Sequence, residues 1–230
     1  MAAKLLMDSG HQVVVHARNQ KRAEETRSKL PGAEKILTAD LSSMDETKKL
    51  ADEANSTGRF DAVIHNAGVY QVSEKLILAV NTLAPYILTC MIERPKRLIY
   101  LSSGMHMQGD ATLRSISGNT PRPSYSDSKL HVVILTMTVS RMWTDVYSNA
   151  VNPGWVPTKM GGRGAPDDLG KGAETQAWLA VSDDAQARVS GRYFHHKKER
   201  SFKPDAADVK VQEKFLEVCE QLTGIHFPGK

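Results

Sequence analysis

Short apolar runs rich in β-branched residues alternate with helix-period segments along the chain, and this alternation limits the possible folds more than any other feature. Strand character falls at Gln12–Ala17, Lys35–Thr38, Phe60–His65, Arg97–Leu101, Ser148–Val151 and Ser190–Phe194. Helical stretches at 20–30, 44–56, 74–92 and 125–143 lie between them, and a last helix at 208–222 is closed by Gly224. Leu30-Pro31-Gly32 stops the first of these helices. Ser43, with Glu46 three residues on, reads as a capping box opening the second. Strands separated by helices of ten or more residues need crossover connections. The expectation is therefore an α/β fold, a doubly wound and mostly parallel sheet with helices on both faces. No repeat, low-complexity tract or linker divides the chain, so 1–230 reads as a single domain whose C-terminal part, 195–230, is a basic turn and the final helix. One detail departs from the pattern. The chain opens on the end of a helix, 2–9, closed by Gly10, where a doubly wound chain opens on a strand.

Composition excludes several classes. With 40% hydrophobic and 24% charged residues the chain matches ordinary soluble proteins. No run approaches the ~18 apolar residues of a membrane span. The segment Met1–Asp8 is too short and too soon charged for a secretory signal. Two cysteines, Cys90 and Cys219, supply neither a disulfide framework nor a cysteine-based zinc site, so no metal is expected and a cytoplasmic setting is. The net charge of +4 is spread along the chain, apart from His195-His-Lys-Lys-Glu-Arg200, which reads as a solvated turn. Without a basic stripe and interleaved aromatics, nucleic acid is not an expected partner, nor is a membrane.

The chemistry concentrates in Ser124-Tyr125-Ser-Asp-Ser-Lys129 at the start of a helix. Tyr and Lys at i and i+4 share a helix face. An ammonium beside a phenol favours the phenolate and would lower a tyrosine pKa from its usual value of roughly 10. Such a tyrosine can exchange protons near neutrality. The spacing alone is weak evidence, since it recurs as Tyr193-Phe-His-His-Lys197. That second copy starts on a strand, where i and i+4 do not stack, and reads as structural. Context favours the first copy. A strand ends in Leu101-Ser102-Ser103-Gly104, and sites in open parallel sheets lie at the carboxyl ends of strands. A serine there can hold a substrate oxygen while Tyr125 exchanges its proton; the plainer reading is a Ser-Ser-Gly turn. No Gly-x-Ser-x-Gly elbow occurs, so an esterase is not indicated.

The ordered set Asn66-Ala67-Gly68, Asn81, Ser102-Ser103, Tyr125-x-x-x-Lys129 and Pro153-Gly154-Trp-Val156-Pro-Thr158 resembles the short-chain dehydrogenase/reductase family. These elements span about two-fifths of the chain, in the family's order. The resemblance implies a Rossmann-like fold and an oxidoreductase that interconverts a small-molecule carbonyl and an alcohol. It implies a catalytic tetrad of Asn81, holding a helix kink and a water, with Ser103, Tyr125 and Lys129, Ser103 being preferred to Ser102. It places Asn66, Ala67 and Gly68 on the adenosine side of a nucleotide cofactor. Pro153, Gly154, Val156 and Thr158 then frame the nicotinamide, with Tyr125 and Lys129 also reaching the cofactor. Relatives commonly pair through their two long helices, here 74–92 and 125–143, so a homodimer or homotetramer is expected.

In dinucleotide-binding folds an acidic residue after the second strand binds the ribose 2′-hydroxyl, whereas a basic one accepts a 2′-phosphate. Arg18 stands at that place, and no carboxylate occurs before Glu24. A guanidinium suits phosphate, so NADP(H) is expected rather than NAD(H), and reduction of a ketone or aldehyde rather than oxidation. Arg18 as an ordinary surface charge is the alternative. Asp40 matches the family's adenine-binding acid, and as bare sequence it serves equally as a turn residue.

The family's Gly-x-x-x-Gly-x-Gly turn, and the strand before it, are missing. Gly161-Gly-Arg-Gly164 follows no strand and resembles instead the segment that covers substrate and nicotinamide. An N-terminally shortened chain is therefore expected, with a sheet opened or re-paired at its centre, or a cofactor site lacking one wall. The competing reading is a non-catalytic or inactive cofactor-binding protein on the same fold. His65 and His131 read as core or surface residues. His106, Met105, Met107, Trp155 and Met160 lie near the predicted site, as substrate contacts or as filler.

Overall fold

The computed structural model describes residues 1–229. Its elements are α1 (Ala2–Asp8), β1 (Val14–Ala17), α2 (Gln20–Lys29), β2 (Lys35–Thr38), α3 (Met44–Thr57), β3 (Ala62–His65), α4 (Glu74–Ile77), α5 (Ala84–Met91), β4 (Arg97–Leu101), α6 (Tyr125–Met142), β5 (Tyr147–Asn152), α7 (Leu169–Val181), β6 (Arg192–His195), β7 (Lys198–Arg200) and α8 (Val209–Thr223). The doubly wound α/β architecture expected from the alternation is present, with β3, β4, β5 and β6 parallel in that order.

Side chains on β4 alternate across the sheet. Leu98 and Tyr100 join Tyr86, Ile87, Leu130, Ile134, Trp143 and Phe215 on one face, which α5, α6 and α8 cover. Ile99 and Leu101 join Leu6, Val151, Leu179 and Phe194 on the other, beneath α1 and α7. After Arg97 at its start, β4 is buried on both faces and apolar from Leu98 to Leu101, as strands of parallel sheets are.

The sheet is nevertheless in two pieces. β1 pairs only with β2, and β3 begins a separate ladder, so the edges of β1 and β3 are not hydrogen-bonded to each other. This is the opening at the centre of the sheet that the sequence leads one to expect. The two pieces are joined through side chains, where Leu37, Leu41, Leu50 and Ala54 of the β2–α3 side pack with Val80 and Ala84.

One local expectation needs correction. Ser43 does accept the Glu46 N–H, at 3.3 Å, but the Glu46 carboxylate accepts the Asp40 N–H at 2.7 Å and not that of Ser43. The Asp40 turn thus takes the carboxylate that would have closed the box. The basic cluster is an exposed turn, as expected, and it is built as a hairpin. His195 pairs with Lys198 across a two-residue hairpin in which His196 and Lys197 have φ of +50° and +58°, as a type I′ turn demands, and the chain returns as β7.

Candidate active site

Three loops, at the carboxyl ends of β3, β4 and β5, and the first turn of α6 converge. α6 starts where it does because Ser124 and Asp127 cap it reciprocally. The Asp127 N–H donates to Ser124 Oγ at 3.1 Å, and Asp127 Oδ2 accepts the Ser124 N–H at 2.8 Å. The second carboxylate oxygen accepts the Asp110 N–H at 2.7 Å, tying the helix start to the loop after β4. Tyr125 is thereby fixed as the first helical residue, half-buried, with Lys129 one turn below it.

Lys129 is almost fully buried, and its ammonium donates to the Leu101 carbonyl at 2.9 Å. Burial pushes its pKa down to about 8. Its nitrogen stands 5.5 Å from the centroid of the Tyr125 ring. The sequence reading had this ammonium lowering the phenol pKa, and that is overturned. The Tyr125 phenol is raised, first by burial, then by the neighbouring Tyr70, against the lowering effect of a hydrogen bond with Ser103. An ammonium drawn to a backbone carbonyl is not free to hold the phenolate.

The two serines separate. Ser102 is buried, and its hydroxyl donates to the Lys129 carbonyl at 2.9 Å, which makes it a strut between β4 and α6. Ser103 is partly exposed on the Tyr125 side and caps the short turn Gly104–Gln108, accepting the Met105 N–H at 3.3 Å.

Asn81 lies in a π-helical turn, Leu78–Leu83, that interrupts the helix between α4 and α5. Its Oδ1 accepts the Val69 N–H at 2.8 Å, and its Nδ2 donates to the Val69 carbonyl at 2.9 Å and to Ser128 Oγ at 3.1 Å. Ser128 in turn donates to the Tyr125 carbonyl at 2.7 Å. The helix irregularity expected for Asn81 is there, but both amide hydrogens are committed to protein partners and neither is left for a water. A Cβ added to Gly68 would stand 3.4 Å from Lys129 Nζ and 3.5 Å from Asn81 Oδ1, so the backbone here passes directly beside both side chains.

His106 is not a substrate contact. It is buried, its Nδ1 donates to the Ser103 carbonyl at 2.7 Å, and its Nε2 accepts the Lys203 N–H at 3.2 Å. That pair of partners fixes a neutral tautomer, and burial lowers the ring's pKa against the opposing pull of the Ser103 carbonyl. His65 and His131 are core residues, stacked on Tyr100 and tilted against Phe215. The second Tyr/Lys spacing forms no pair. Tyr193 is buried with its hydroxyl unpartnered, whereas Lys197 reaches the exposed Glu174 at 3.7 Å.

On the nucleotide side, Asn66 and Ala67 are exposed at the end of β3. Arg18 and Asp40 follow β1 and β2, and they bind each other. Nε and Nη2 of Arg18 donate to one Asp40 oxygen at 3.0 and 2.9 Å, while the other accepts the Ser42 N–H and hydroxyl. The Asp40 carboxyl lies below its usual range, burial being outweighed by the Ser42 and Arg18 bonds.

After β5, Pro153 and Gly154 turn the chain, Gly154 with φ +85°, and Val156 packs under Gly172 of α7. Thr158 Oγ1 accepts the Gly161 N–H at 3.1 Å and does not itself reach the tetrad. The residue of this segment that does is Met160, with its sulfur 4.0 Å from the Tyr125 hydroxyl. Met160 lay among the candidates; Tyr70, whose ring meets that of Tyr125, did not, because a tyrosine in a loop carries no periodic signal. Asp127 carried one in its Ser-x-x-Asp spacing. Among the described residues no group of acidic, histidine or cysteine side chains is placed to hold a metal, and no helix is long and apolar enough to cross a membrane.

Comparison with known proteins agrees with this geometry. Residues 1–189 match the model of the family described as enoyl-(acyl carrier protein) reductase. An uncharacterized oxidoreductase of Emericella nidulans is 44% identical over 241 residues, covering 99% of this chain and 93% of that protein. Short-chain dehydrogenase chry4 of Gibberella zeae is also 44% identical, over 244 residues, with the same coverage. A solved protein from Mycobacterium paratuberculosis superimposes with a TM-score of 0.79 at 21% identity, covering 99% of this chain and 89% of its own. The complex of RhlG with NADP from Pseudomonas aeruginosa does so at 0.68 and 18%, over 84% of this chain and 88% of that one. With relatives this similar along nearly their whole length, and the fold they share, the chain belongs to the short-chain dehydrogenase/reductase family and is an oxidoreductase acting between carbonyl and alcohol.

Proposed function

We infer that the protein uses NADP(H) and works as a reductase of a ketone or aldehyde, with Tyr125 as the proton donor. The observation that carries this reading is the meeting of Ser103 and Tyr125, with Lys129 one turn below, clamped by Asn81 through Val69 and Ser128. A nicotinamide nucleotide fits the residues around it. The backbone at Gly68 leaves open the space a Cβ would fill beside Lys129, and Arg18 offers a planar fork at the end of β1. Asn66, Ala67, Gly68, Pro153, Gly154, Val156 and Thr158 would line it, with Asp40 at the adenine end. Solved neighbours of the same fold hold NADPH or NADP.

When bound, the nicotinamide supplies the hydride. The chain's own residues do the rest. Ser103 holds the substrate oxygen, and the Tyr125 hydroxyl passes its proton to that oxygen as the alcohol forms. A raised phenol pKa suits a residue that must carry its proton until then. Lys129, bound to the Leu101 carbonyl, holds the first turn of α6, and with it Tyr125, against the end of β4. Arg18 and Asp40 are exposed enough that their ion pair contributes little, about 0–1 kcal/mol, so a 2′-phosphate can take the guanidinium over at small cost.

The test is consumption of NADPH, followed by its absorbance, against a panel of ketones and aldehydes. Turnover by the wild type that is absent from Tyr125→Phe is the expected result. Equal activity of the two proteins would remove Tyr125 from the chemistry.

A further inference from the structure

Among the described residues ten large apolar side chains are exposed, and they are not scattered. Six of them, Tyr70, Val72, Met105, Met107, Trp155 and Met160, sit on the loops that leave the carboxyl ends of β3, β4 and β5, the end of the sheet that carries Tyr125. Single exposed apolar residues mean nothing, but a group gathered around a reactive hydroxyl marks a binding surface.

Tyr70 is the most firmly placed of the six. It follows Val69, whose N–H and carbonyl are both held by the Asn81 amide at 2.8 and 2.9 Å. It precedes Gln71, which has a φ of +54°, a conformation that a glutamine adopts only where the turn requires it. The ring therefore stands on a pinned backbone. It meets the Tyr125 ring edge-on, centroids 4.7 Å apart and planes at 62°, and still exposes 38% of its surface. On another side of the Tyr125 hydroxyl lies the Met160 thioether, a soft and deformable contact. Neither Ser103 nor Tyr70, the two groups that bear on the phenol, is charged. The nearby ammonium of Lys129 is already bound to Leu101.

We propose that the substrate is a carbonyl compound whose carbonyl is carried on a flat aromatic body, in chemical class an aryl ketone or aryl aldehyde, and that Tyr70 is the residue that selects it. The proposal rests on the reductase reading above. With the carbonyl oxygen at Tyr125 and Ser103, an attached ring extends along the free part of Tyr70 in the offset or edge-on contact that aromatic pairs prefer, and the methionines close on it.

Three probe ketones test this: acetophenone, cyclohexyl methyl ketone, which matches it in bulk without being flat or aromatic, and butanone. The quantity read is the ratio of kcat/KM for acetophenone to that for each of the others. The wild type should favour acetophenone. Tyr70→Phe should keep the preference, and Tyr70→Leu should lower both ratios about tenfold, or ~1.4 kcal/mol. Thermal melting shows whether each variant is folded, and an unfolded Tyr70→Leu is replaced by Tyr70→Met. Ratios that do not move in a folded Tyr70→Leu or Tyr70→Met overturn the proposal, as does a wild type without preference.

Titration calorimetry of acetophenone on the same proteins separates this proposal from the reading beneath it. If no ketone consumes NADPH, the reductase reading falls. Weaker acetophenone binding in Tyr70→Leu would then still uphold the aromatic site, and unchanged or absent binding would overturn it.

Discussion

The Lys129 ammonium is bound to the Leu101 carbonyl at 2.9 Å, so the helical partner of Tyr125 is anchored to the strand and not to the phenol. The bond crosses from α6 to the end of β4 and runs beside a second one, from the Ser102 hydroxyl to the Lys129 carbonyl. Together they fix the distance between the strand that carries Ser103 and the helix that carries Tyr125.

Removing the phenol should separate chemistry from folding. Tyr125→Phe is expected to lower kcat by ~10²–10⁴, the usual worth of a positioned proton donor. Its melting temperature should stay close to that of the wild type, because the hydroxyl's one contact outside Ser103 is a 4.0 Å approach to sulfur. Stopped-flow kinetics with NADPH and a reducible ketone measures the first quantity, and calorimetry the second.

Lys129 gives a pH-dependent signature. Its pKa is about 8 in the folded protein and roughly 10.4 in an unfolded chain. Between those values the unfolded state binds the extra proton, so this residue's contribution to stability rises with pH and is complete only above the unfolded value. Below pH 8 both states are charged, and burial of the charge is a standing cost. The wild type should gain about 1–3 kcal/mol relative to Lys129→Met between pH 8 and 10.5. Urea unfolding of both proteins across that range checks it; parallel curves would mean that the ammonium is not buried in solution.

The serines should respond in opposite ways. Ser102→Ala removes a buried hydrogen bond and is expected to cost about 1 kcal/mol of stability. Its effect on catalysis should be secondary. Ser103→Ala should leave stability within about 0.5 kcal/mol, as for most surface changes, and lower kcat. Exchange of these two phenotypes would reassign the substrate-facing hydroxyl to Ser102.

Arg18→Ala should lower the ratio of kcat/KM for NADPH to that for NADH by one to two decades, since a charge-assisted hydrogen bond contributes ~1.5–3 kcal/mol. Stability should hardly change, given that the pair with Asp40 is exposed. An unaltered ratio assigns the 2′-phosphate to another group.

Tyr193→Phe tests the second Tyr/Lys spacing. Its hydroxyl is buried without a partner, and a buried unsatisfied hydroxyl costs ~1–3 kcal/mol. Deleting it should leave activity within about twofold and raise stability by up to that amount. A destabilised variant would show that the hydroxyl has a partner in solution.

The fold was legible because burial on both faces leaves β4 apolar from Leu98 to Leu101, and because helices of ten or more residues can only cross over. β7 escaped notice, since Lys198, Glu199 and Arg200 are exposed edge residues held by a hairpin rather than by a core. At the site, the Tyr125/Lys129 spacing and its neighbours could be read from the chain. The choice between Ser102 and Ser103 came there from family resemblance. In the structure it comes from a contact across 27 positions, which no local pattern reports. The direction of the Tyr125 pKa was misread for the same kind of reason. Helical spacing shows that two side chains are neighbours, but not that the ammonium has a carbonyl to turn to. Tyr70 lies on a loop, where position is set by the clamp that Asn81 places on Val69, twelve residues away in sequence.

The divided sheet has a mechanical consequence. Within each piece the strands are locked by a ladder of hydrogen bonds, which is stiff and directional. Between the pieces there is no ladder: the coupling is an oily seam of leucine, valine and alanine, pinned at a few points where Asn55 bonds Met91 and Glu93 and where Lys48 bonds Thr223. Arg18 and Asp40 ride on one plate, and Tyr125 with Lys129 on the other. A molecule long enough to grip both would act as a rivet, so the alignment of the two plates becomes a property of the loaded protein and not of the chain alone.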